Sequence, residues 1–141
     1  MVRQLTLSLY KMKRIPKYEE IYTGDEASKL FFKARTGSLE LNTRTYRWSE
    51  TRTKICQRCT YHTEEDLRHL LAECPLYENE RKTFMTKMMQ ILGEDEWRKI
   101  SKMEDDKDIA FILGLTEDSN EVVMEETKLF LHSIWKVRLR I

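Results

Sequence analysis

The 141-residue sequence has little cysteine, proline or glycine and no long apolar run. Its two prolines and four glycines give few points at which regular structure must stop, so we expect helices to dominate. No apolar stretch approaches the roughly 18 residues that span a bilayer. The start, "MVRQLTLSLYKMKR", has too short and too polar a middle for a secretory signal. We therefore expect an intracellular protein, nuclear or cytoplasmic, that has no membrane partner.

The cysteines are three in number, and all of them fall within "KICQRCTYHTEEDLRHLLAECP", residues 54–75. An odd number cannot be fully paired in disulfides. Thiols inside the cell also stay reduced. A tight group of cysteines together with two of the three histidines therefore indicates a metal site more than a disulfide framework.

Charge is abundant but divided along the chain. Charged residues make up 35% of the sequence, and the net charge is only +1. Residues 1–60 hold 13 Lys/Arg against 6 Asp/Glu, a net of +7, while residues 61–141 hold 12 against 18, a net of −6. A basic region carried on an acidic body is typical of proteins that face a polyanion, although solvated helices also show it.

The length and the pattern predict one mainly α domain with a small zinc knuckle. We assign residues 25–141 to this helical domain and leave residues 1–24 unassigned, because the strand-like "QLTLSLY" has no obvious partner. Caps and apolar spacing predict a helix over 25–36 ending at Gly37, and another that Thr63 caps, with Asp66 in the capping-box position. Further helices are predicted from Pro75 to Gly93, within "DDKDIAFILGL", and over 118–141 with Asp118 and Glu121 in capping-box register.

The thiols and one histidine have the spacing of a structural zinc site. Cys56-x2-Cys59 places two thiolates at one tight turn, and His69 and Cys74 complete a Cys3His set. Residues five apart on a straight helix point about 140° away from each other, so His69 and Cys74 could not share a metal there. Pro75 removes this objection, because it disfavours the helical conformation at Cys74. A set of four protein ligands leaves no position for a reactive water, which indicates a structural Zn²⁺.

Two alternatives remain open for this site. His62 is the rival ligand, since its spacing from Cys59 also suits a metal, but it falls in the polar loop "TYHTEE". His69 is preferred because it follows Leu67 on a predicted helix that faces the core. Cys56 and Cys59 could instead be a redox pair or buried thiols, although the βαβ pattern that usually surrounds a redox Cys-x-x-Cys is missing. His132 lies in a predicted apolar helix, and we interpret it as a packed or surface histidine that is not a ligand.

A longer stretch resembles a known family. "RTG" at 35–37, "LNTRTYR" at 41–47, the Cys-x2-Cys, and "HLLAECP" followed by Tyr77 and Arg81 resemble the zinc-binding region downstream of the polymerase domain in non-long-terminal-repeat retrotransposon reverse transcriptases. "FILGL" and "FLHSIWKVR" extend the resemblance over residues 28–141. It implies an accessory element that helps to grip template RNA or target DNA, with the same four metal ligands and with Arg35, Arg44 and Arg47 as candidate backbone contacts.

The leading functional hypothesis is therefore a binding module that contacts the RNA or DNA backbone and prefers single strands. Aromatic side chains interleaved with basic ones could stack unpaired bases. The candidate contacts are Arg35, Arg44, Tyr46, Arg47, Trp48, Lys54 and Arg58. The alternatives are a basic face that is simply solvated, or a non-catalytic scaffold, a retroelement remnant, whose C-terminal helix 118–141 binds a protein partner. We expect no catalysis, because "MEDD" at 103–106 reads as the start of a helix and no nucleophile–base pair stands out.

Overall fold

The computed structural model describes residues 25–140, and the segment 1–24 with its strand-like "QLTLSLY" lies outside the described residues. Within 25–140 the chain is helical, and its only β pairing is one antiparallel bridge between Ile55 and Glu64. The prediction of a mainly α fold is therefore confirmed. Six α-helices are described: α1 Glu26–Thr36, α2 Asn42–Thr45, α3 Glu78–Leu92, α4 Glu94–Ser101, α5 Lys107–Ile112 and α6 Glu121–Leu139. A π-helical turn, His69–Glu73, and a 3₁₀ turn, Pro75–Tyr77, precede α3.

The first helix follows its sequence signals closely. The side chain of Asp25 accepts the backbone N–H of Ser28 at 2.8 Å, as an N-cap does. Gly37 ends the helix with φ 71°, a left-handed conformation that glycine adopts without steric cost. The buried face carries Leu30, Phe31 and Ala34, the apolar stripe of the sequence.

The last helix organises the core. α6 packs against α1 and α3, and α3 packs in turn against α4. Phe84 of α3 stacks on Phe130 of α6 with ring centroids 4.3 Å apart, while Trp97 of α4 meets the edge of Phe84 at 6.1 Å. The fully buried side chains of this core include Met88, Met124, Leu131 and Ile134.

The start of α6 differs from its prediction, and α4 is a helix that was not predicted. α6 is capped by Asn120, whose side chain accepts the N–H groups of Val122 and Val123, so the Asp118–Glu121 capping box is wrong. Asp118 instead accepts the hydroxyl of Thr116 at 2.7 Å within the preceding turn. α4 was not predicted: the chain ends α3 at Gly93 as expected but begins a new helix at once, burying Trp97 and Ile100.

The turn after α5 depends on Gly114. Its φ is 73°, and a Cβ at this position would lie 2.5 Å from the side chain of Met124. The "FILGL" stretch is therefore a short helix followed by a glycine turn pressed against α6. Among residues 25–140, no helix combines the length and the apolar character needed to span a membrane.

Candidate metal centre

The four residues with metal-ligand spacing come together in space. One ligand atom from each of Cys56, Cys59, His69 and Cys74 lies within 4.8 Å of all the others. Cys56, His69 and Cys74 are buried, whereas Cys59 is half-buried. The Sγ of Cys59 is 3.4 Å from Nε2 of His69. This cluster could hold a metal ion, and neither His62, the rival ligand, nor His132 belongs to it.

The Cys-x2-Cys loop is held closed by backbone pairing. The N–H of Cys56 donates to the carbonyl of Thr63 at 2.8 Å, and the N–H of Glu65 donates to the carbonyl of Lys54 at 2.8 Å. These bonds flank the Ile55–Glu64 bridge and turn residues 57–62 back on themselves. His62 lies in that loop, exposed and with φ 55°, and it is outside the cluster.

A π-helical turn allows the side chains of His69 and Cys74, five residues apart, to face the same centre. The N–H of Cys74 donates to the carbonyl of His69 at 2.7 Å, a bond between residues five apart. Such a turn closes after five residues, so the two side chains return to the same side, whereas on an α-helix they would diverge. Cys74 itself is extended, with ψ 123°, as predicted from Pro75. This π turn was not predicted from the sequence.

The imidazole of His69 is oriented by hydrogen bonds on its far side. Its Nδ1 is 3.1 Å from the hydroxyl of Thr63 and 3.5 Å from a carboxylate oxygen of Glu73. This leaves Nε2 turned toward the thiols, the arrangement in which a ligating histidine is fixed by an outer partner. Thr63 is therefore not the helix cap. Asp66 takes that role, because its carboxylate accepts the N–H of His69 at 2.8 Å.

Arg81 supports the π turn from the neighbouring helix. Its Nε donates to the carbonyl of Leu71 at 2.9 Å, and its Nη2 donates to the carbonyl of Cys74 at 2.8 Å. The carbonyl of Cys74 also accepts the N–H of Tyr77 at 3.3 Å. Burial lowers the pKa of Arg81. The arginine therefore holds the backbone of one ligand, Cys74, without contacting its sulfur.

The environment of Cys56 and Cys74 favours the protonated form of their thiols. Burial raises the pKa of Cys56, and it raises the pKa of Cys74 to about 12. Each thiol also lies close to the others, which disfavours a second negative charge. A cation bound among the three sulfurs would reverse this balance, because a coordinating thiol is deprotonated.

A buried carboxylate next to the cluster joins the segment of the candidate ligands, residues 55–74, which we call the metal loop, to the end of α6. Glu65 is 1% exposed and accepts hydrogen bonds from Arg138 through Nε at 3.1 Å and Nη2 at 2.8 Å. The backbone N–H of Asn42 donates to the same carboxylate at 2.9 Å, and Arg58 lies 3.5 Å from it. Sequence reasoning missed Glu65, and its place between two polar neighbours gave no signal of burial.

A second ionic contact ties the metal loop to α5. The guanidinium of Arg68 donates to the carboxylates of Asp106 and Asp108. The acids of "MEDD" were expected to complement a helix dipole, but Asp106 pairs with a side chain 38 residues earlier. The loop that carries the candidate ligands is thus attached to both α5 and α6.

The predicted nucleic-acid contacts do not all share one surface. Arg35 is 1% exposed, and its guanidinium lies over the ring of Phe31 at 5.6 Å, so it cannot reach a phosphate and leaves the candidate set. Arg58 is half-buried and turned toward Glu65. Arg44 is half-buried in α2.

The remaining candidates are Tyr46, Arg47, Trp48 and Lys54, which we call the 46–54 patch. Arg47 and Trp48 are exposed, whereas Tyr46 and Lys54 are half-buried. The Nε of Arg47 donates to the hydroxyl of Tyr46 at 3.0 Å, and this hydrogen bond lowers the pKa of Tyr46. Lys54 Nζ lies 4.8 Å from the centre of the same ring. Trp48 is 66% exposed. The ring of Tyr46 is thus in contact with two cations, and the exposed indole of Trp48 follows it two residues later in the chain.

No protein-family model, curated protein or solved structure matches this chain. The resemblance to the retrotransposon region therefore stays a prediction that rests on sequence motifs alone. The metal cluster and the 46–54 patch are the two features of the structure that bear on the function.

Proposed function

We propose that the cluster binds one structural Zn²⁺. Three thiolates and one imidazole are the donors of a common class of structural zinc site, and they suit zinc better than the oxygen-preferring Mg²⁺ or Ca²⁺. All four positions come from the protein, which leaves no open position for a water nucleophile. The outer contacts of Thr63 and Glu73 to His69 favour one tautomer, with Nε2 free to ligate.

We further propose that the domain is an accessory module that binds single-stranded RNA or DNA through the 46–54 patch. The exposed indole of Trp48 next to basic side chains carries this proposal. Exposed aromatic rings stack on unpaired bases, while lysine and arginine neutralise the backbone, and neither contact depends strongly on sequence. The origin of the chain in, or from, a retrotransposon reverse transcriptase is part of the same proposal, as is the absence of catalysis.

Contacts between α2, which directly precedes the 46–54 patch, and the metal loop support a link between metal binding and the position of the patch. The side chain of Asn42 donates to the carbonyl of Ile55 at 2.8 Å, and Thr43 Oγ1 donates to the carbonyl of Glu65 at 2.9 Å. α2, which leads directly into Tyr46, is therefore anchored at Ile55, just before the first candidate ligand, and at Glu65. Loss of the metal would release the patch from its fixed position.

The test is binding of a fluorescent single-stranded oligonucleotide to the zinc-loaded chain. Replacing Arg47 and Lys54 together by glutamate is expected to remove most binding. The matched control replaces Lys99 and Lys102, two exposed lysines in and just after α4, by glutamate, which changes the net charge equally at a distant surface. Equal losses in the two variants would reduce the effect to net charge and contradict a specific patch.

A further inference from the structure

The hydroxyl of Tyr77 is buried without a hydrogen-bond partner among residues 25–140. The residue is 1% exposed, so the hydroxyl is shielded from solvent. A buried tyrosine normally finds a partner for its O–H, because an unsatisfied polar group inside a protein is unfavourable. Tyr77 lies in the 3₁₀ turn that follows Cys74, the last candidate metal ligand. A donor left unpaired one turn from a candidate ligand is a feature that packing alone does not explain.

The 3₁₀ turn places the side chain of Tyr77 on the same side as that of Cys74. The N–H of Tyr77 donates to the carbonyl of Cys74 at 3.3 Å, a bond between residues three apart. In a 3₁₀ turn, side chains with this spacing are nearly eclipsed. Burial raises the pKa of Tyr77, Arg138 opposes this rise, and Cys74 adds to it. The hydroxyl is therefore within electrostatic reach of a candidate ligand.

Three other groups near the hydroxyl of Tyr77 cannot accept its proton. Arg58 and Arg138 act on its pKa, but a guanidinium has donors and no acceptor. The carboxylate of Glu65 also acts on it, yet each of its oxygens already accepts two hydrogen bonds. Oε1 accepts from the N–H of Asn42 and from Nη2 of Arg138, and Oε2 accepts from Nε of Arg138 and from Nη1 of Arg58. A carboxylate offers about four such positions, so Glu65 has none left.

The sulfur of Cys74 is the group with room to accept among the described residues whose charges act on Tyr77. A neutral thiol is only a weak acceptor. Metal coordination removes the thiol proton, and hydrogen bonds to a charged acceptor are roughly twice as strong as neutral ones. Burial raises the pKa of Cys74 to about 12, whereas a hydrogen bond from the backbone of Leu76 lowers it, so one donor already faces this sulfur. Coordination would give the hydroxyl of Tyr77 the acceptor that it lacks.

We propose that Tyr77 is a positioning residue of the metal centre, whose hydroxyl donates a hydrogen bond to the thiolate of Cys74 when the metal is bound. The inference rests on the proposed zinc site. The bond stabilises the negative charge of the thiolate and also satisfies a buried donor. Both effects strengthen metal binding, although Tyr77 is not itself a ligand.

The experiment removes this hydroxyl alone. Tyr77→Phe keeps the ring and its packing, and Co²⁺ binding by the full chain is measured by competition with a chromophoric chelator. The expected affinity is about tenfold below that of the parent at the same stoichiometry, the lower end of the range for outer contacts. Tyr61→Phe is the matched control, because Tyr61 is 57% exposed in the loop between Cys59 and His69 and should bind as the parent does.

The absorption spectrum of the cobalt complex reports on the sulfur itself. A hydrogen bond to a coordinating thiolate stabilises its electrons, so sulfur-to-cobalt charge transfer requires more energy with the bond than without it. The charge-transfer band of Tyr77→Phe is therefore expected at lower energy than that of the parent, and the band of Tyr61→Phe is expected to be unchanged. A purely structural role of the ring would leave both bands in place, because phenylalanine retains the ring.

A double-mutant cycle assigns the effect to one sulfur. Cys74→His removes the proposed acceptor but keeps four ligands, and Cys56→His does the same at another ligand. Tyr77→Phe should have no effect in the Cys74→His background and should weaken binding about tenfold in the Cys56→His background.

Two results would overturn the proposal while leaving the zinc site intact. One is an unchanged affinity and band in Tyr77→Phe when the parent binds one metal. The other is a loss on Tyr77→Phe that persists in the Cys74→His background. A parent that binds no metal is a different result, since it would contradict the zinc site itself and the role of Tyr77 with it.

Discussion

Arg138 donates two hydrogen bonds to the buried carboxylate of Glu65, a residue 73 positions earlier in the chain. Glu65 lies between the candidate metal ligands Cys59 and His69 in the sequence, and Arg138 lies in the last turn of α6. The pair therefore joins the metal loop to the helix that organises the core. Metal binding and docking of α6 should depend on each other through this contact.

The first prediction concerns Glu65→Gln. The substitution keeps the shape of the side chain but leaves the guanidinium of Arg138, 8% exposed, without its counter-charge. Breaking one partner of a buried ion pair typically costs about 3–5 kcal/mol. We expect a loss of this size in the free energy of unfolding, measured by urea denaturation of the zinc-loaded chain. Glu94→Gln, which removes an exposed partner of Arg98, is the control and should change stability by about 1 kcal/mol or less.

The second prediction separates the rival histidines. His69→Ala should abolish binding of one zinc per chain, whereas His62→Ala should retain it, because only His69 belongs to the cluster. Structural zinc supplies about 10–16 kcal/mol in comparable sites, which exceeds the roughly 5–15 kcal/mol stability of a typical domain. Chelation should therefore unfold at least residues 50–80. Elemental analysis and circular dichroism measure both effects, and loss of zinc from His62→Ala would show that the ligand choice is wrong.

The third prediction addresses Arg81, which contacts no ligand atom. Arg81→Met removes both donors to the carbonyls of Leu71 and Cys74, so the π turn loses its support. Outer contacts of this kind are typically worth 10–100-fold in metal affinity. We expect a weaker site with unchanged stoichiometry, measured by competition with a chromophoric chelator. Lys82→Met on the exposed side of α3 is the matched control, and equal affinity in the two variants would contradict a supporting role for Arg81.

Local signals in the sequence predicted much of the fold and the candidate site. Asp25 and Gly37 bracket α1 because a cap acts within one turn, and the cysteine spacing with Pro75 located the cluster. The π turn escaped prediction because the hydrogen bond that defines it, from Cys74 to His69, replaces an α-helical bond without any change in composition. α4 escaped because the chain restarts at Gly93 without a capping side chain.

The spacing of residues in the sequence could not predict contacts between residues that are far apart in the chain. The burial of Glu65 becomes evident only when α6 brings Arg138 to it. Arg35 was predicted as a phosphate contact from the family resemblance and from its place in the basic stretch before the cysteines. Its position on α1 instead turns it inward beside Phe31. Charge in a sequence identifies a basic segment, but the helix rotation decides which of its members meet solvent.

The fourth prediction follows from the raised pKa of Cys56 and the pKa of Cys74 at about 12. Raised values keep both thiols protonated at pH 7, so zinc must displace at least two protons as it binds. Affinity should therefore rise with pH across the range below these pKa values, and fall as the solution is acidified. Titration calorimetry in buffers of different ionisation enthalpy counts the protons released. Release of fewer than two at pH 7 would contradict protonated thiols in the metal-free chain.

The last prediction concerns the salt dependence of oligonucleotide binding by the 46–54 patch. Arg47, Arg52 and Lys54 are the basic residues in and beside it, and three phosphate contacts on a single strand give a log–log slope of about −2. Trp48→Ala should cost about 1–3 kcal/mol in affinity and leave that slope unchanged, because stacking involves no counterion. Arg47→Ala should reduce the slope by about 0.7. If Trp48→Ala binds like the parent, or if binding is insensitive to salt, the patch is a solvated surface and the nucleic-acid proposal fails.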